Sequence, residues 1–300
     1  MSYSLLDSEQ IGAGVARILH EELKYALQQV AMAEGDVVGR VHECRKHLKQ
    51  VRSLARLVRS GMSKKLRKGL LCELRNAARE LGGLREVAAH AECLEALRKG
   101  AVDRRVKRGI RSVQQQIGAS SVRSDDTVVE TFSRARSAIV AAQLMLETWE
   151  GREVTLQVLE KGISRSYDAA RRAFKIILTN PAPEGLHEWR KRAKDLRYQS
   201  AIIANAWPPM FNTLESELHA LTDHLGLVHD LVLVMELLEG GSIPDISDQI
   251  RAQTLECASQ RCRQEQAATF RLGARLFAEK QGRFSKRVLR YLELWAEENI

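Results

Sequence analysis

The stretches VHECRKHLKQVR at Val41–Arg52 and LHEWRKRAKDLR at Leu186–Arg197 decide the reading of this chain. At a shift of 145 residues, His42, Glu43, Arg45, Lys46, Lys49 and Arg52 fall on His187, Glu188, Arg190, Lys191, Lys194 and Arg197. A second correspondence follows at nearly the same shift, with Leu81-Gly82-Gly83-Leu84-Arg85-Glu86 against Leu225-Gly226-Leu227-Val228-His229-Asp230. Two matched segments in the same order argue for a duplicated unit. The expected organisation is a single domain over 1–300 made of two repeats, 1–147 and 148–300, related by a pseudo-two-fold axis.

Each stretch reads as a helix. His42, Arg45, Lys49, Arg52, Arg56 and Arg59 recur at steps of three and four, which puts them on one stripe. Val41, Cys44, Leu48, Val51, Ala55 and Val58 form a second, apolar stripe about 100° away. The basic stripe therefore borders the core stripe instead of lying opposite it. Like charges one turn apart repel by a few tenths of a kcal/mol per pair, so an anionic partner is expected to compensate. From 42 to 59 the stripe runs about 25 Å, long enough for an extended chain of phosphates. In the second copy His187, Arg190, Lys194 and Arg197 are basic, while Leu186, Trp189, Ala193, Leu196 and Ile203 are apolar. This second stripe is shorter, because Ala201 and Ala204 occupy its next positions. Tyr198 offers a hydroxyl, and Lys161, Arg165, Arg172 and Lys175 share one face of the helix before it.

The rest of the chain agrees with an all-α class. Its five prolines stand at 181, 183, 208, 209 and 244, so the first 180 residues are open to long helices. Apolar residues recur at helical spacing almost throughout, with no sustained period-two segment. The polar stretch Gly118–Thr127 is the expected hinge, and Gly82–Gly83, Gly240–Asp248 and Gly282–Ser285 are expected breaks. The net charge of +9 favours anionic partners. Five cysteines without a CxxC pair read as reduced thiols, and the N-terminal stretch lacks the apolar core of a signal peptide. No run approaches the roughly 18 apolar residues of a membrane span. A cytoplasmic protein is expected.

Catalytic signatures are weak: no P-loop, no GxGxxG after a strand, no HExxH and no GxSxG. His42 and Glu43, like His187 and Glu188, are sequence neighbours and point about 100° apart on a helix. Carboxylates able to hold a catalytic metal do not gather near the stripes, so neither a cofactor nor a metal is expected. Arg85 or His229 beside Glu86 or Asp230 reads as an ion pair that fixes a helix junction.

The HxxR…K..R helix, its second copy ending in Lys194-Asp195-Leu196-Arg197-Tyr198, and the LGxx[RH][DE] turns resemble the CHAD family, the conserved histidine α-helical domains. Gly162–Tyr167 and Leu276–Glu279 are similar to that family as well. The resemblance spans nearly the whole chain. It departs at Glu86 and His229, where Asp and Arg or Asn are commoner. It implies two antiparallel four-helix bundles whose basic residues line a groove or pore that binds inorganic polyphosphate without turnover. Carried over by position, the binding residues are His42, Arg45, Lys49, Arg52, His187, Arg190, Lys194, Arg197 and Tyr198, then Lys46, Lys191, Arg56 and Arg165. Implied partners are polyphosphate, its granules and a polyphosphate-metabolising enzyme. Paired histidines would strengthen binding as pH falls. The alternatives are an RNA- or DNA-binding protein and an enzyme acting on polyphosphate. The stripes have few of the aromatic platforms that base recognition uses.

Overall fold

The computed structural model describes residues 3–31, 36–101, 103–119, 125–240 and 246–299. Among them are eleven α-helices, one short 3₁₀ turn and no strand. The helices are α1 (Ile11–Ala31), α2 (Val37–Leu57), α3 (Lys64–Glu80), α4 (Gly82–Gly100), α5 (Arg104–Ala119), α6 (Asp125–Leu146), α7 (Leu156–Thr179), α8 (Pro183–Ile202), α9 (Pro208–Glu239), α10 (Asp248–Leu276) and α11 (Gln281–Asn299). The chain is all-α, as the periodicity predicts. Residues 120–124 of the polar stretch expected as a hinge lie outside the described residues, as do the side chains of Arg85 and Glu86 and their expected pairing.

Local chemistry fixes the helix starts. Asp36 accepts from the Val38 and Gly39 amides to cap α2, Ser63 accepts from Leu66 to cap α3, and Thr155 accepts from Val158 to cap α7. Proline stands in the first turn of α8 and α9, where its missing donor costs nothing. Two expected breaks move. Gly282 lies inside α11, and Leu225–Asp230 is no turn, because α9 runs through it unbroken. In the first copy the chain does break there, between α3 and α4.

Helices α1, α2, α3 and α6 pack in a ring, each against the next. In the second half α7, α8, α9 and α10 pack in succession, and α11 covers α7. One continuous core joins the halves. Both apolar stripes lie in it: Val41, Cys44, Leu48, Val51, Ala55 and Val58 of the first are buried, as are Leu186, Trp189, Ala193, Leu196 and Ile203 of the second. Trp189 sits at 5.0 Å from the Phe174 ring and 6.2 Å from that of Phe277. Truncating a core indole of this kind costs about 3–5 kcal/mol.

Helix α2 packs on α7 and α8, while α4 and α5 pack on α9 and α10. Helix α2 touches α7 closely at Gly162, where a Cβ would lie 2.2 Å from the Leu57 carbonyl oxygen. Only glycine admits that approach. Against α8, Ser53 Oγ donates to the Asp195 carbonyl at 2.9 Å, and Gln199 Nε2 donates to the Ser53 carbonyl at 3.2 Å. The N-terminal segment straps the seam, with the Leu5 amide donating to Ile202 and the Tyr3 hydroxyl to the Gln50 carbonyl. This seam brings the two basic stripes side by side.

Candidate functional site

The stripes meet at their equivalent lysines. Lys49 of α2 lies within electrostatic reach of Lys194 of α8, together with Arg190, Arg197 and Asp223. Burial, then these like charges, pulls the Lys194 ammonium down to about 6. Two residues 145 apart in sequence thus come within electrostatic reach across the seam. The neighbouring arginines behave equivalently too. Arg45 donates through Nη1 to the Ala78 carbonyl of α3, and Arg190 donates through Nε to the Thr222 carbonyl of α9 at 3.4 Å. Ala78 and Thr222 correspond at the shift of the second motif. Each arginine is therefore tethered to the next helix and held half-buried beside the core.

Cations crowd further along α2. Burial lowers the Arg52 guanidinium from its ordinary value, and Arg56, Arg75 and Arg45 lower it further, against Asp195. Arg165 is lowered by burial and by Arg59 and Arg67, and its Nη2 reaches the Leu57 carbonyl at 3.4 Å. Groups perturbed by desolvation together with like charge are a mark of binding sites.

Other sequence-predicted residues are engaged within the fold. Arg56 donates to both Asp195 carboxylate oxygens at 2.9 and 2.7 Å. Burial pushes the Asp195 carboxyl up while Arg56 pulls it down. Arg197 donates to Glu215 at 2.7 Å and lies with its Cζ 5.5 Å from the Tyr198 ring centre. Tyr198 stands edge-on to Tyr3 at 6.4 Å, and burial raises its hydroxyl above the ordinary range. Lys46 and Lys191 are exposed and pair with Glu43 and Glu188, each three residues earlier, at 3.0 and 3.7 Å. His42 is exposed on α2.

His187 departs from expectation. Its ring lies 4.6 Å from that of His229. Burial first, then His229, Lys191 and Arg190, pushes it down to about 4. In the ligand-free protein it is therefore neutral between pH 8 and 6. His229 is lowered by burial and by Arg190, while Asp230 pulls it up. Its lowered value favours the neutral imidazole, beside both Asp230 and Arg190.

The structure adds residues that the stripes alone did not single out. Lys68 and Arg75 of α3 join Arg52 and Arg56 of α2 in lining a cleft of about 400 Å³. Gly226 of α9 makes room for Arg190, since a Cβ there would lie 2.7 Å from Nη2. The signal for Gly226 was present in the second sequence match. For Lys68 and Arg75 it was a basic α3 whose facing could not be read. Among the described residues no three of His, Cys, Asp or Glu gather as a metal set, and no helix is long and apolar enough to cross a membrane.

Residues 17–239 match the profile of the family described as CHAD domain. The chain belongs to the CHAD-domain family. The matched CHAD region holds both stripes and ends with the last residue of α9, so α10 and α11 lie beyond it. No curated protein matches the chain.

Proposed function

We propose that this CHAD domain binds inorganic polyphosphate, without turning it over, in a basic groove between α2 and α8. Two repeats, 1–147 and 148–300, would then face each other about a pseudo-two-fold axis between Lys49 and Lys194. The observation that carries the reading is the meeting of those two equivalent lysines, with Arg45 and Arg190 tethered alike on either side. Concentrating cations at a half-buried seam costs free energy, and a polyanion returns it by replacing scattered counterions. The tethers hold the guanidiniums in place before the ligand arrives, which lowers the entropic cost of binding. Arg can then contact phosphate oxygens in pairs while Lys acts as a point charge.

Two features favour polyphosphate over nucleic acid. The aromatic side chains near the stripes are occupied, Trp189 being fully buried and Tyr198 set against Tyr3 and Arg197. Bases would find little to stack on. Binding without turnover accords with the acids at the stripes, since Asp195 and Glu215 are each bonded to an arginine. In this reading the partners are polyphosphate, its granules in the cytoplasm, and enzymes that make or consume it.

The test is calorimetric titration with long-chain polyphosphate at ~150 mM salt, where exposed charges are screened beyond about 8 Å, with RNA of equal charge as competitor. Submicromolar binding that RNA does not displace is expected. Equal displacement by RNA would reduce the stripes to general basic surface. Phosphate release in Mg²⁺ or Mn²⁺ would make the protein an enzyme.

A further inference from the structure

Helix α6 is apolar on two sides. Ala135, Ile139, Ala142 and Leu146 face the core and are buried. On the opposite side Val140 and Leu144 stand one turn apart and are 36% and 64% exposed. Met145 flanks them, 38% exposed, over Gly69 of α3, where a Cβ would lie 3.1 Å from its Sδ. Ser137 and Ala141 beside them are small, which leaves room for another helix to come close. A lone exposed apolar side chain is ordinary, but a contiguous row on one helix marks a contact surface. Charge closes the row at either end. Arg136 stands one turn before Val140, and Glu147 follows Leu144 just past the helix end. Both are exposed, and among the described ion pairs of α6 neither takes part.

We infer that α6 docks on α6 of a second copy of this chain, antiparallel, about a two-fold axis. The occupant follows from the order Arg136, Val140, Leu144, Glu147, which is its own complement when reversed. An antiparallel copy sets Val140 of each chain beside Leu144 of the other and Arg136 of each beside Glu147 of the other. The two-fold axis makes every such contact twice. A parallel copy would instead set Arg136 against Arg136. With 22 residues α6 is about 33 Å long. One helix pair with its flanks lies at the small end of stable interfaces, so the dimer is reversible and depends on concentration. Dimerisation does not depend on what the seam binds. Helix α6 touches α1 and α3 and lies across the ring from α2, so both seams stay open in the dimer. Taking the seam as the polyphosphate site, one long chain then engages two seams and gains affinity from its length.

The test is sedimentation equilibrium of the full chain, free of polyphosphate, over about a hundredfold range of concentration. The average mass is expected to rise from one chain towards two. Leu144→Arg changes a side chain that is exposed in the monomer, so the melting temperature at low concentration should hold. Association of that variant is expected to weaken about tenfold or more. Glu147→Arg sets like charges together and should weaken association several-fold. Arg136→Glu/Glu147→Arg should restore it, because the swap rebuilds the pair across the axis. The mass of one chain at every concentration overturns the inference, as does a dimer that Leu144→Arg leaves intact. A dimer that the charge swap does not restore overturns the antiparallel docking. A monomer that instead sediments with phosphatidylcholine vesicles, and loses them in Leu144→Arg, gives the face to a lipid surface and overturns the inference as well. Since no polyphosphate is present, none of these results bears on what the seam binds.

Discussion

The two stripes differ in length, and part of the difference is cancelled between them. The first carries Arg56 where the second has Ala201, and the second carries Asp195 where the first has Gln50. These two departures from the repeat meet across the seam, since Arg56 grips Asp195 through both oxygens. The extra cation is cancelled by the extra anion. Both halves keep the His-Arg-Lys-Arg series, while Arg59 has only Ala204 opposite it in the repeat and Arg197 is itself paired with Glu215. The lesson is that charge counted along one helix overstates binding capacity when a neighbouring helix supplies the counter-charge.

The largest effect should come from reversing the centre of this arrangement. Lys49→Glu/Lys194→Glu is expected to weaken long-chain polyphosphate binding by about a hundredfold or more, read by calorimetry, because it turns attraction into repulsion where the stripes meet. Next comes pH. In the free protein the Lys194 ammonium falls from an ordinary value of 10.5 to about 6, so at pH 8 it is neutral, and a bound polyanion recharges it. Binding then takes up a proton, and affinity rises as pH falls from 8 towards 6, by at most about tenfold per unit. Lys194→Gln should flatten that slope. The ligand-free fold shows the opposite trend. Its unfolded chain holds the extra proton between pH 6 and 10.5. This group therefore adds stability as pH rises through that window, visible as a higher melting temperature at pH 9 than at pH 6.5.

A smaller effect isolates the compensating pair. Asp195→Asn releases Arg56, so polyphosphate affinity should rise a few-fold. The fold should lose about 1–3 kcal/mol in denaturant melts, less than for a fully buried pair because Arg56 stays over a third exposed. Unchanged affinity would mean that Arg56 does not face the ligand at all. The smallest effects compare equivalent glycines. Gly226→Ala presses on the Arg190 guanidinium and should lower affinity a few-fold. Gly82→Ala meets nothing within 4 Å and should be silent in binding, with up to about 1 kcal/mol of added stability.

What was legible in the sequence was periodic and local. The apolar positions of α2 and α8 are buried as their spacing predicts, and the cationic positions beside them are half-buried except at the ends of the first stripe, His42 and Arg59. The equivalence of Lys49 and Lys194 was visible as an alignment, though not as a contact. What escaped needs two elements at once: the Arg56–Asp195 pair joins α2 to α8, the His187–His229 contact joins α8 to α9, and the α2–α3 cleft needs the facing of Lys68 and Arg75. Charge and spacing within one helix carry no record of such meetings. The glycine of the second motif was misread for a related reason. It makes room for a side chain from α8 instead of bending its own helix.

The central claim is that both halves hold one chain together. The most direct measurement titrates long-chain polyphosphate into Arg45→Ala/Lys49→Ala and, separately, into Arg190→Ala/Lys194→Ala under identical salt and pH. Comparable losses of about tenfold or more in both variants are predicted, since each removes an equivalent tethered arginine and axial lysine. Binding that survives intact in either one would contradict a shared site and leave the polyanion to a single stripe.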